Sequence, residues 1–221
     1  MTSALYSSAN GARVTLTSLA IPFYGAWVAD VTVASPTPLA GDVTLKIGNL
    51  SLIGAVVRQQ VFAQLLTARL VGGHGGWGKQ VAARAYANPL GVPLSMILRD
   101  VAGEVGEKVK LAADRSAGLF FVREAGPASR VLRQLAGALW WVDAAGVTQI
   151  GARPSKAITS AATVAAYDGG KGWLSVATED LSSWAPGATF KSPTVPDGIT
   201  IGHVRLATAN DGKQRIEVLT T

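Results

Sequence analysis

Apolar residues recur along this chain in two different periods, and the change of period divides it. Between 39 and 57, Val43, Leu45 and Ile47 alternate with Thr44 and Lys46, a period of two that predicts a strand with one buried face. Gly48-Asn49 follows as a turn pair able to take positive φ cheaply, so the chain is expected to double back as a hairpin. The returning run Leu50–Val57 is apolar apart from Ser51, which predicts cover on both faces. Gly54 inside that run predicts a bulge or sharp bend of the kind that curls a sheet into a barrel. Upstream, Arg13–Leu19 and Tyr24–Val33 read as strands, the second with Trp27 and Val31 facing the core, before the turn Ser35-Pro-Thr-Pro38. Residues 1–11, rich in Ser and Ala, are expected to fray. Val61–Val71 runs apolar into a glycine cluster, and Val81–Tyr86 is expected to close a first barrel.

The period changes after Asn88-Pro89. Pro93 suits a first helical position, and Leu94, Ile97, Leu98, Val101 and Val105 share one helical face until Gly103 and Gly106 weaken and end the helix. Leu119–Val122 reads as a short apolar strand. Pro127 opens a second helix with Val131, Leu132, Leu135 and Leu139 inward and Arg130, Arg133 and Gln134 outward. Trp140–Ile150 reads as a hairpin, and Gly151–Ala161 as a polar linker. The period of two then returns at Ala162–Tyr167, Trp173–Ala177, Ile199–Leu206 and Arg215–Leu219, with Asn210-Asp-Gly212 as a hairpin turn. Val204 and Leu206 are expected to face in, His203 and Arg205 out. Residues 186–206 loosely repeat 39–57, each with a leading glycine (Gly41, Gly187), a strand, a turn, and a second strand with an inner glycine (Gly54, Gly202). The expected fold is mainly β with an α+β insert. Two small β-barrel-like domains, 1–88 and 153–221, flank a two-helix α+β unit at 89–152.

Composition adds one expectation about the surface. With 48% hydrophobic and only 15% charged residues in 221, the exterior is expected to be unusually apolar or covered by partner subunits. The net charge of +6 is dispersed, without a run of five or six basic residues, and reads as solubility charge. The absence of cysteine excludes disulfides, thiolate catalysis and cysteine-held metal. The start of the chain carries no signal-peptide pattern, and Val14–Val33 is broken by Thr15, Thr17, Ser18, Pro22, Gly25 and Asp30. No membrane span is expected, and the protein is expected to stay in the cytoplasm where it is made unless it leaves in a larger particle.

Candidate chemistry is sparse. Gly73, Gly78 and Lys79 fit the G-x-x-x-x-G-K part of a phosphate loop, but residue 80 is Gln where a hydroxyl should hold Mg²⁺, and no amphipathic helix follows. His74 and His203 stand apart, without a second histidine at ligand spacing. Asp100, Glu104 and Glu107 are spaced as a solvated helix face would space them, and there is no G-x-S-x-G elbow. Five tryptophans (27, 140, 141, 173 and 184) lie in strand contexts. Trp77 stands alone in the glycine loop, which makes Gly73, His74, Trp77 and Lys79 a candidate subunit-interface loop with Trp77 as its anchor. Neither a cofactor nor a metal is expected.

The chain resembles the tail hub or baseplate hub proteins of tailed bacteriophages and related contractile devices. The resemblance rests on the N-terminal strand set with its 39–57 hairpin, on the helical middle (94–105 and 131–146), and on the closing set from Trp184-Ala-Pro-Gly-Ala-Thr-Phe190 to Gly202-His-Val-Arg-Leu206. It implies a structural, non-enzymatic virion protein assembled in the host bacterial cytoplasm. It implies a homotrimer in which two barrels per chain present six quasi-equivalent units to a six-fold tail tube and three-fold symmetry to a spike or fibre. The implied partners are further copies of the chain, a tail tube or distal tail protein, a tape measure and the central spike or fibre. The resemblance implies no stable nucleic-acid binding, with a lumen through which DNA can pass. Two other classes stand beside it: an OB-like barrel for single-stranded nucleic acid or oligosaccharide, which needs a basic groove with exposed aromatics, and a nucleotide hydrolase built on Gly73–Lys79.

Overall fold

The computed structural model describes residues 6–208 and 214–220. The first six strands are β1 (Ser7–Ala9), β2 (Ala12–Ile21), β3 (Val28–Val33), β4 (Asp42–Ile47), β5 (Leu50–Phe62) and β6 (Leu65–Gly72). They pair in the order β1-β4-β5-β6-β3-β2, and a β1–β2 pairing closes them into a six-stranded barrel. Residues 7–9, expected to fray, are therefore buried and hydrogen-bonded on both edges. The predicted turn at Gly48-Asn49 joins β4 to β5, with Gly48 at φ 55°.

The middle unit holds β7 (Gln80–Val81), β8 (Arg84–Ala87), α1 (Leu94–Val105), β9 (Val109–Leu111), β10 (Phe120–Arg123), β11 (Gly126–Pro127), α2 (Ala128–Ala136), β12 (Trp140–Val142) and β13 (Thr148–Ile150). Leu94, Ile97, Leu98, Val101 and Val105 all bury on α1, as their spacing predicts. Gly106 ends that helix in the left-handed region, and the Glu107 N–H returns to the Ala102 carbonyl at 2.8 Å. Val81–Tyr86 does not close the barrel. Its residues pair with β10 and β11 and pack into the middle unit's own core, because β1 already fills the closing position. Leu139, expected inward, is half exposed, since α2 stops at Ala136 and the helical phase no longer applies.

The last strands are β14 (Thr163–Asp168), β15 (Trp173–Ala177), β16 (Thr189–Ser192), β17 (Val195–Thr208) and β18 (Gln214–Thr220). They pair as β16-β17-β18-β15-β14. The segment that leads into β14 touches β16 first, where the Ile158 N–H donates to the Thr189 carbonyl at 2.8 Å, and so rounds off a second, barrel-like curl. The predicted turn Asn210-Asp-Gly212 lies outside the described residues.

The two β sets have the same topology. Pairings β2–β3, β3–β6, β5–β6 and β4–β5 recur as β14–β15, β15–β18, β17–β18 and β16–β17. Two register shifts coincide as well, while a third, between Phe190 and Ser192 on β16, has no counterpart in β4–β5. Each set carries one extra residue in its first strand, at Thr15 and Ala165, and one in its fourth, at Val57 and Gly202. These marks align Val57 with Gly202, so the paired glycines of the loose repeat are not equivalent. Gly54 instead matches Ile199. Its role is clearance: a Cβ there would stand 2.5 Å from the Trp27 ring, and one at Gly72 would stand 2.6 Å from it. Burying that indole contributes about 4–6 kcal/mol by area, so two glycines on facing strands make room for the largest side chain of the first barrel.

The two sets join through β2 and β17, antiparallel from Thr17↔Thr208 to Ile21↔Val204. One apolar core runs through both, and α1 and α2 cover a separate one.

Candidate functional site

The glycine loop after β6 is an internal joint between the first barrel and the middle unit. Glu107, just past α1, is buried and points back at the loop, where its carboxylate accepts the N–H of Gly76 at 2.6 Å and of His74 at 3.2 Å. Gly73 sits at φ 96° with its would-be Cβ 3.0 Å from that carboxylate, so both its conformation and its neighbour require glycine. His74 turns its Nδ1 to Asp42 at 2.9 Å. Lys79 donates from Nζ to the Val105 carbonyl at 3.1 Å, a favourable place for a cation at a helix C-terminus. Trp77 is 9% exposed; it packs in the middle core and donates from Nε1 to Thr148 Oγ1 at 2.9 Å.

All four candidate residues thus come together, but around the chain's own carboxylate and carbonyls. Trp77 is not a free anchor. A lone aromatic in a glycine loop has no local core in the sequence, and the core it finds is supplied by α1, α2 and β13, each far along the chain. A phosphate has no place here either, because the loop's N–H groups already hold Glu107 and the next element is a two-residue strand.

A second polar cluster fastens β8 and β10 to α1. Arg123, 1% exposed, donates to Glu104 Oε1 at 2.8 Å and to the Ala82 carbonyl at 2.9 Å. Tyr86 donates to Asp100, which also takes Arg84 at 2.6 Å. Burial, then the bond to Asp100, pushes the Tyr86 phenol up to about 12. Every charge here is matched by an opposite one, the arrangement of a structural tie. His203 on β17 keeps its imidazole pKa low through burial and the nearby Arg205. Among the described residues no cluster of His, Cys, Asp or Glu is placed to hold a metal, and no helix is long and apolar enough to cross a membrane.

A surface depression of about 380 Å³ lies on the outer face of the first barrel between Leu16, Asp30, Arg58, Gln60, Thr67 and Arg69. Arg69 binds Asp30 at 2.6 Å and holds its carboxyl below the usual range, so half the basic charge is spent within the groove. Its lining has no aromatic side chain, which removes the stacking platform that an OB-like nucleic-acid site needs.

What remains uncovered is apolar. Every residue from 57 to 65 is exposed, including Val57, Val61, Leu65 and Phe62, the last at 81%. Leu50–Val57 was expected to be covered on both faces, yet Ser51 and Val57 are open. On the middle unit, Leu90, Leu119, Phe120 and Val122 form a second bare patch. Solitary exposed apolar residues are ordinary; runs of this kind mark contact surfaces, and hydropathy summed over the sequence shows only that such atoms exist.

No family model matches the sequence, and no curated protein matches it. Solved structures do share the fold. The E. coli c3393 protein, described as a component of the type VI secretion system with structural similarity to T4 bacteriophage tail proteins gp27 and gp5, superposes with a TM-score of 0.68 at 12% identity, over 97% of this chain and 76% of the other. A 43 kDa tail protein of prophage MuSo2 from Shewanella oneidensis gives 0.62 at 13% identity, over 98% and 96%. A tail protein from Neisseria meningitidis MC58 gives 0.63 at 11% identity, over 97% and 95%. The chain therefore has the fold of phage tail proteins, as its sequence pattern led us to expect.

Proposed function

We propose that this chain is a structural component of a phage-type tail, acting at the tail tip or baseplate as a trimeric hub. The observation that carries the reading is the duplication: two β sets with one topology and matching register shifts, side by side in one sheet. A tube of six-fold symmetry meets a spike or fibre of three-fold symmetry, and three chains with two equivalent units each satisfy both. The partners on this reading are two further copies, a tail tube or distal tail protein above, a tape measure within, and a central spike or fibre below. Assembly takes place in the bacterial cytoplasm before the particle leaves. The work on this reading is done by shape, with the polar clusters tying elements together. The exposed rim of the glycine loop, Gly75, Gly78 and Lys79, offers a further contact to a neighbouring subunit.

Light scattering of the purified chain tests this. A species of three times 22.8 kDa, or a multiple of it, is expected. A stable monomer at high micromolar concentration would refute the hub.

A further inference from the structure

We infer that copies of this chain join edge to edge, the distal half of β5 in one copy meeting the end of β14 and the turn Gly169–Lys171 that follows it in the next. The inference rests on the ring reading and names the surfaces that make it.

It follows from comparing the two β sets strand by strand. Equivalence of register pairs β2 with β14 and β5 with β17. Inside the chain, β2 and β17 already meet, which shows what covers each kind of edge: the first strand of one set lies against the far half of the fourth strand of the other. Their equivalents have no such partner. Among the described residues β14 pairs with β15 and has no strand on its other edge. β5 pairs with β4 as far as Ala55, and beyond it no described strand lies on the outer edge, where the Gln59 side-chain amide holds the N–H and carbonyl of Leu39 at 2.9 and 3.0 Å. An unpaired strand edge is a template for another strand.

Burial tells the same story. Val204 and Leu206 on β17 are buried, whereas their equivalents Gln59 and Val61 are exposed. Thr17 on β2 is buried, whereas its equivalent Tyr167 is exposed. The exposed run 57–65 is what the chain would show at β17 if β2 were taken away. The missing piece on each side is thus present on the opposite side of the same molecule, which selects a second copy as the occupant. Because the two edges differ, the contact is heterologous and closes into a ring or runs on as a filament.

Transferring the internal register sets Phe62 opposite Asp168, and lays Gln59 and Gln60 along the turn Gly169–Lys171. Arg58 lies near this edge, while the Asp168 carboxylate is already paired with Lys171 of its own turn at 3.4 Å.

The chain has no cysteine, so a designed pair reports without background. The double variant Phe62→Cys/Asp168→Cys, oxidised in the assembled state, is expected to give a disulfide-linked ladder on a denaturing gel that ends at three chains, since directly opposed strand residues lie within disulfide reach. Each single variant is expected to give no ladder. Phe62→Asp, at a site where folding is indifferent to the change, is expected to raise the concentration for half-assembly by about tenfold or more with an unchanged melting temperature of the dissociated chain. An assembly that forms by light scattering but leaves the 62/168 pair reduced overturns this junction and leaves the ring standing. A chain that stays monomeric and uncross-linked overturns both.

Discussion

β5 and β17 are the same strand built twice, and their far halves have opposite fates. In β17 that half is clamped between β18 and β2, with Val204 and Leu206 in the shared core. In β5 it hangs past the end of β4, paired on one edge and bare on the other. Local sequence is only part of the difference, since Gln59 stands where β17 has Val204 but Val61 and Phe62 are apolar. What also differs is the neighbour: β17 has β2 along that edge, and β5 has no described strand there.

The largest effect expected separates these equivalent positions. Leu206→Asp puts a charge into the common core and should cost about 3–5 kcal/mol in urea unfolding, whereas Val61→Asp should change the isolated chain by no more than about 0.5 kcal/mol. Equal losses at both would mean that the bare half of β5 is packed in solution and that the contrast is false. Gly54→Ala comes next. Its methyl group meets the Trp27 ring, so a loss of about 1–3 kcal/mol is expected, while the equivalent position in the other set already carries Ile199. A silent Gly54→Ala would show that both Trp27 and the facing Val71 carbonyl, each 2.5 Å from the new methyl group, yield.

Smaller effects test the ties between units. Glu107→Ala leaves the His74 and Gly76 N–H groups without their acceptor and should cost about 1–3 kcal/mol, read as an earlier thermal transition. Smallest is the pH response at Asp180, which accepts from Ser183 and from Asn49 in the β4–β5 turn and so links the two β sets. Those bonds, Ser183 first, hold its carboxyl well below the ordinary 3.8. A depressed folded-state pKa contributes stability that is present above the unfolded value and is lost as pH falls. The melting-temperature gap between the natural chain and Asp180→Asn should therefore be widest near neutral pH and narrow below about pH 4. A gap that does not depend on pH would remove the carboxylate from the link.

Much of this was readable from residue order. Alternation located β4, β15 and the buried face of β17, and the spacing of Leu94, Ile97, Leu98, Val101 and Val105 located α1 with its inner face. These signals are local, since a strand or helix imprints its own period on residues a few places apart. The loose repeat was visible too, but glycines were poor markers for aligning it: Gly54 is required by Trp27, a contact between strands, and Gly202 lies at a register shift. Trp77 misled for a related reason. Its surroundings come from residues up to 71 places away in the chain, at Thr148, and nothing in the loop announces them.

Residue order alone established the alternation of β, α+β and β, the helix faces, the lack of thiol chemistry, and an apolar excess too large for a simple exterior. Folding in three dimensions settled what closes each barrel, that β2 and β17 fuse the two sets into one sheet, that the glycine loop serves Glu107, and that the excess collects on residues 57–65 and on the outer face of β8 and β10. The division has a physical cause. Secondary structure answers to neighbours in the chain, whereas burial and pairing answer to whichever surface arrives from elsewhere, as β2 does for β17.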